Sequence, residues 1–339
     1  MKFLLISLAT LCFGAHAALA QAIAYSKPSG FVTHAVKAGQ FNLIGLTLHE
    51  PVVISGVFDD VSGNELTDED ENFTTALQAG KTYILEITEN ATSPSLVGAI
   101  QELTGGWTSN TLTTSDNLEE AGLAAGAKYQ LRAARTISQI FGANNEAGLQ
   151  GSANKDIDEA DVIYIPNGVD FDQYFYSSST AEGAEPGWYK SGETPILAND
   201  TPVIYTDALL IYRRGNSDLD FTMHGCVKST AATMALTGGE FNYVSTVFPV
   251  GATLGNSGLE ASLQGSDNYS INEADVVYMP DGEGGYNRYF YSNPAGDEKW
   301  CSDKFDDASN VPLKSGIIIQ RRTDHKNATI TPPALYSNL

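Results

Sequence analysis

The chain has 339 residues and carries 19 Lys and Arg against 41 Asp and Glu, a formal net charge of −22. A surface of that sign repels nucleic-acid phosphates and anionic lipid headgroups, which argues against nucleic acid as a partner. Charged residues make up 18% of the chain and hydrophobic ones 42%, so packed cores are within reach, and the length exceeds one ordinary domain.

Lys2 is followed by an apolar run over residues 3–13 and by AALA at 17–20. A basic start, a short apolar stretch and a small-residue cleavage pattern predict a secretory signal peptide over residues 1–20, cut before Gln21. The expected destination is the periplasm, the cell surface or the extracellular space. No later stretch has the run of about 18 apolar residues that a spanning helix needs, so no transmembrane segment is expected.

FNLIGLTL (41–48), TYILEI (82–87), GGW (105–107) and AAGAKYQLR (124–132) follow in order. They predict a first β unit over residues 21–132, a divergent copy of two units further on. SDNLEEAGLAAG (115–126) is the best short helix, with Asp116 as its cap.

The clearer copies come next. Residues 149–166 align without a gap on residues 263–280, with twelve identities in eighteen positions. QYFYS (173–177) matches RYFYS (288–292), Trp188 matches Trp300, and LLIYRR (209–214) matches IIIQRR (317–322). Upstream, TISQIF (136–141) pairs with YVSTVF (243–248). These runs are short, β-branched or aromatic, and bounded by Gly, Asn, Asp, Ser or Pro, which is how strands read. A second β unit is expected over residues 133–215, and a connector strand with a third unit over residues 216–339. The predicted fold class is all-β: tandem repeated small β-sandwich or β-barrel units with few short helices.

In their order, these motifs resemble an uncharacterised family of exported bacterial repeat proteins with no assigned activity. The resemblance implies export and modular β structure. It supplies no catalytic residues.

Four groups of residues are candidates for function. Asp156, Asp158, Glu159 and Asp161 crowd six positions, and Glu273 and Asp275 recur in the later copy. Such oxygens suit calcium, and equally suit backbone amides at a turn. Tyr174, Tyr176 and Trp188 recur as Tyr289, Tyr291 and Trp300; an outward aromatic face would stack on sugar rings, an inward one would fill a core. Arg213, Arg214, Arg321 and Arg322 close their units, with Asp161 or Asp275 as prospective partners in a charge-assisted pair. Cys226 and Cys301 are a candidate disulfide in an oxidising compartment.

Catalytic signatures are missing: there is no His-Glu-x-x-His, no Gly-x-Ser-x-Gly and no phosphate-binding glycine loop. The sequence therefore predicts a secreted, non-catalytic structural or adhesive envelope protein without a cofactor other than a candidate calcium. Its expected partners are envelope polysaccharide or further copies of itself. The alternative readings are a glycan-binding protein using the repeated Tyr and Trp, and a polysaccharide hydrolase with two distant carboxylates.

Overall fold

The computed structural model describes residues 28–168, 170–181 and 184–337. The predicted signal peptide lies outside these residues. The described chain is all-β, with strands in small antiparallel sheets and two short α-helices, Phe73–Ala76 and Ile137–Phe141. No helix among the described residues is long and apolar enough to cross a membrane.

Two sheets share one plan. In the first, strands Phe41–Gly45, Ala208–Tyr212, Val162–Asn167, Asp170–Ser177 and Gly187–Lys190 lie side by side in that order, and Ile196–Leu197 adds a short sixth strand. In the second the order is Phe241–Ser245, Gly316–Gln320, Val276–Pro280, Tyr286–Ser292 and Lys299–Ser302. Each sheet is accompanied by a two-stranded ribbon made from the strand before it and the strand after it. The ribbons are Ser29–Val36 with Leu219–Cys226, and Ala232–Leu236 with Lys326–Ile330.

The same polar pins fix both. Asn42 Oδ1 accepts from Lys37 N at 2.7 Å while its amide donates to the Lys37, Gln40 and Ile211 carbonyls. Asn242 does the same with Thr237, Glu240 and Ile319, again with 2.7 Å from the Thr237 amide. One side chain thereby ties the turn before its own strand to the neighbouring strand of the sheet, Ala208–Tyr212 or Gly316–Gln320.

This pairing moves the expected boundaries. The strand Phe41–Gly45, assigned from sequence to the first unit, hydrogen-bonds to Ala208–Tyr212 and belongs to the first of the matched sheets. What separates it from the rest of that sheet is an insert over residues 52–133. The insert has a four-stranded sheet, a three-stranded sheet and its own core around Phe58, Phe73 and Tyr129. The match of TISQIF to YVSTVF also fails. Thr136 caps the helix Ile137–Phe141 through a capping box with Gln139, whereas Phe241–Ser245 is a strand. The structural counterpart of Thr136 is Thr253, which makes the same box with Asn256. Residues 115–126, expected as a helix, form turns.

The two sheets meet where a side chain would not fit. A Cβ on Gly45 would stand 1.8 Å from the Ser315 carbonyl oxygen, and one on Gly316 would stand 3.1 Å from the Gly45 nitrogen. Backbones cross there, and one continuous apolar core runs through both copies, from Ile44, Phe141 and Trp188 to Val244, Leu254 and Trp300.

Candidate functional site

Each sequence candidate has a definite place. Asp161 and Asp275 sit one residue before their strands and are buried. Asp161 accepts from the backbone amides of Gln150 and Arg214, both at 2.6 Å, and from the Arg213 guanidinium. Asp275 accepts from Gln264 and Arg322, both at 2.8 Å, and from the Arg321 guanidinium. The expected Asp–Arg pair thus forms in both copies. It locks the closing strand to its neighbour, and Arg214 and Arg322 extend the lock by donating to the Ala160 and Ala274 carbonyls.

That use of the carboxylates bears on the calcium candidates. Asp161 already faces a cation and three amides, with Gly215 N the third, and Asp275 a cation and two. Asp156 accepts from Asp158 N at 2.9 Å as a turn cap, and Asp158 lies 3.4 Å from Arg214. Glu159 and Glu273 accept from Asn154 and Asn268. Among the described residues no group of three or more His, Cys, Asp or Glu is arranged to hold a metal ion.

The aromatic platform is overturned. Trp188 and Trp300 are 0% and 1% exposed, and Tyr174 and Tyr176 are buried in the same core. Tyr289 and Tyr291 pack against it from its margin. Burying a large apolar side chain stabilises by about 1.5–3 kcal/mol, and these sheets have a core to fill on that face. The opposite face is covered as well: Phe175 packs with Tyr189, and Phe290 with Cys301. The disulfide does not form either. Cys226 and Cys301 are free thiols, the first on a ribbon and the second in the far strand of the second sheet.

A second cluster, which sequence reasoning missed, fastens the insert to the duplicated body. Glu86 of the insert is buried against Lys228, with Thr230 and Tyr205 also donating to its carboxylate. Burial opposes the Glu86 charge, yet Lys228 and nearby Arg132 outweigh it and hold the carboxyl below its ordinary range. Burial pulls Lys228 down to about 8, which leaves it protonated at neutral pH. With its donors satisfied by Glu86, Thr230 and the Ala231 carbonyl, this cluster reads as a structural fastening.

The feature best suited to a ligand is an open cleft of about 520 Å³ where the insert and both copies meet. The insert contributes Ile100, Gln101 and Asp116, the first copy Asp170, Phe171 and Asp207, and the second copy Glu240, Phe241 and Tyr243. Phe171 and Tyr243 pack edge to face at 4.8 Å, and Phe241 is 50% exposed. The lining holds four carboxylates, from Asp116, Asp170, Asp207 and Glu240, and no Lys, Arg or His. Burial, helped by the charge of Glu102, pushes Asp207 up to about 7. Near neutrality its carboxyl is then present in both protonation states, able to donate to or accept from a hydroxyl.

Comparison with protein-family models, curated proteins and solved structures found no match, so the cleft is read from its own chemistry.

Proposed function

We propose that the chain is an exported, non-catalytic adhesion protein that holds a neutral or amino-bearing polysaccharide in this cleft. The observation that carries the reading is the lining itself: exposed aromatic faces beside carboxylates, with no cation. Aromatic rings stack on the apolar faces of sugars, and carboxylates and amides accept and donate to their hydroxyls. Four carboxylates without a counter-ion disfavour sulfated or uronic polymers and favour amino groups. The aromatic contact therefore moves from the repeated Tyr and Trp, which fill the core or pack at its margin, to Phe171, Phe241 and Tyr243. The leader-like residues 1–20 support export.

Retention on immobilised polysaccharides tests this. Amino-bearing and neutral polymers should retain the protein and sulfated ones should not. Phe241→Ala, at a half-exposed position, should weaken retention by about tenfold, corresponding to about 1.4 kcal/mol, with the melting temperature unchanged. Equal retention of wild type and variant rules the cleft out. Release of soluble sugar from a retained polymer, abolished by Asp207→Asn, would replace adhesion by hydrolysis with Asp207 as the acid.

A further inference from the structure

The cleft has a counterpart. It forms where the hairpin of the first sheet, turning between Pro166 and Phe171, reaches the first strand of the second sheet, with the Phe171 and Tyr243 ring centroids 4.8 Å apart. The reciprocal arrangement is present too. The hairpin of the second sheet, turning between Pro280 and Tyr286, reaches the start of Phe41–Gly45; a Cβ on Gly284 would stand 2.6 Å from the Gln40 side-chain oxygen. Between them lies a second pocket of about 150 Å³. Each copy thus reaches onto the other in the same way, as halves related by a two-fold axis do.

Register gives the equivalences. Pro166 pairs with Phe171 and Pro280 with Tyr286, and Phe41 and Phe241 each precede the pinning Asn. Both phenylalanines are 50% exposed. Each is backed edge to face by the matching tyrosine, Phe41 by Tyr164 at 5.6 Å and Phe241 by Tyr278 at 5.7 Å. The same half-exposed ring on the same backing therefore stands in both pockets. The pockets also share a floor: Leu43 of the second and Phe171 and Tyr243 of the cleft belong to one apolar cluster with Leu210 and Ile318. Burial raises the pKa of the Tyr286 phenol and the Tyr243 phenol adds to the rise, so these two rings, one from each pocket, are close neighbours.

The walls differ in charge. Gln40 stands where the cleft has Glu240, and the insert, which closes one side of the cleft with Asp116, contributes nothing to the second pocket. No carboxylate lines the second pocket, and its one charged side chain, Lys37, is paired with Asp218 at 2.7 Å.

We propose, resting on the reading of the cleft as a sugar site, that the second pocket is a further subsite for an uncharged sugar and that one polysaccharide chain occupies both. The Phe41 face suits the apolar side of a sugar ring, and the Gln40 amide and Tyr286 hydroxyl suit its hydroxyls. An ammonium gains nothing from a wall without carboxylates and gains from the four in the cleft. The polymer that fits carries amino groups on some sugars and none on others. Once one sugar is held, the second contact is intramolecular, so a chain that spans both pockets binds more tightly than a fragment that fills one.

Titration calorimetry on the full chain tests this with two probes: soluble chitosan, which mixes amino and N-acetylated sugars, and the uncharged disaccharide diacetylchitobiose. The polymer should bind about a hundredfold more tightly than the disaccharide. Phe41→Ala and Phe241→Ala should each weaken polymer binding by about tenfold, and the double variant by about a hundredfold. Wild-type affinity in Phe41→Ala with a loss in Phe241→Ala overturns the second subsite and leaves the cleft standing. A polymer that binds no more tightly than the disaccharide overturns the joint occupation. A wild-type chain that binds neither probe, or a polymer affinity indifferent to Phe241→Ala, overturns the reading of the cleft and the joint site with it. Should Phe41→Ala fail to fold, Tyr286→Ala at the opposite wall decides, with the same tenfold loss expected and wild-type affinity again overturning the subsite.

Discussion

The two copies agree in their polar pins and differ in what covers their surfaces. Asn42 and Asn242 make matching bonds, as do Asp161 and Asp275 with their arginines. The ribbons and sheet edges diverge. One copy carries an insert and a sixth strand that the other lacks. Buried ions admit few geometries, because a misplaced one is left without a partner, whereas a surface can be covered in many ways. Duplicated structure is therefore most alike where it is most polar and most buried.

The largest test of that agreement removes the locks. Asp161→Ala and Asp275→Ala each strand a buried arginine, which costs about 3–5 kcal/mol. Matching geometry predicts matching losses. One core runs through both copies, so either variant should lower a single urea-unfolding transition of the duplicated body instead of melting one half. A loss confined to one variant breaks the equivalence of the locks. Two separate transitions break the unity of the core.

These locks were the most legible part of the sequence. The Glu-Ala-Asp and Arg-Arg runs lie inside a stretch that the two copies share almost without gaps, so their pairing could be anticipated. Phe41–Asn42 and Phe241–Asn242 were equally visible, but Asn42 reaches Ile211, far along the chain and beyond the insert. Proximity in sequence assigned that strand to the wrong unit. Alternation in QYFYS told which side chains share a face. It could not tell that both faces are covered, so Tyr174 and Tyr176 were readable as a platform and are core. The cleft was illegible for a different reason: its walls come from three stretches with no motif in common, and only packing brings Gln101, Asp207 and Phe241 together.

A smaller effect should separate the ribbons by pH. His34 of the first ribbon occupies the register position of Met234 in the second. It is buried on Phe221 with its Nε2 unpartnered, and burial lowers its pKa from 6.5 to about 4. The unfolded chain binds a proton below pH 6.5 that the folded chain refuses until about pH 4, so stability falls as pH drops through that window. At pH 5 the cost is about 2 kcal/mol. His34→Met should remove this part of the acid sensitivity, leaving the part due to His49, whose pKa burial lowers to about 3. Denaturant midpoints at pH 7 and pH 5 measure it. An unchanged pH dependence in the variant would mean that the imidazole is protonated in the fold and the ribbon opens to water there.

The smallest difference is between the two matched tryptophans. The Trp188 indole donates to the Gly142 carbonyl at 2.8 Å, just past the helix Ile137–Phe141. The Trp300 indole nitrogen is buried without a protein partner. Both rings are fully enclosed, so replacement by phenylalanine leaves a similar gap in each. Only Trp188→Phe also loses a hydrogen bond, although the Gly142 carbonyl keeps the Asn145 amide, and it should cost about 1 kcal/mol more than Trp300→Phe, which sheds an unpaired donor. Urea midpoints of the two variants read this difference directly. Equal losses would mean that solvent reaches the Trp300 indole and supplies the bond that Gly142 supplies in the first copy, making the two copies more alike than their protein contacts imply.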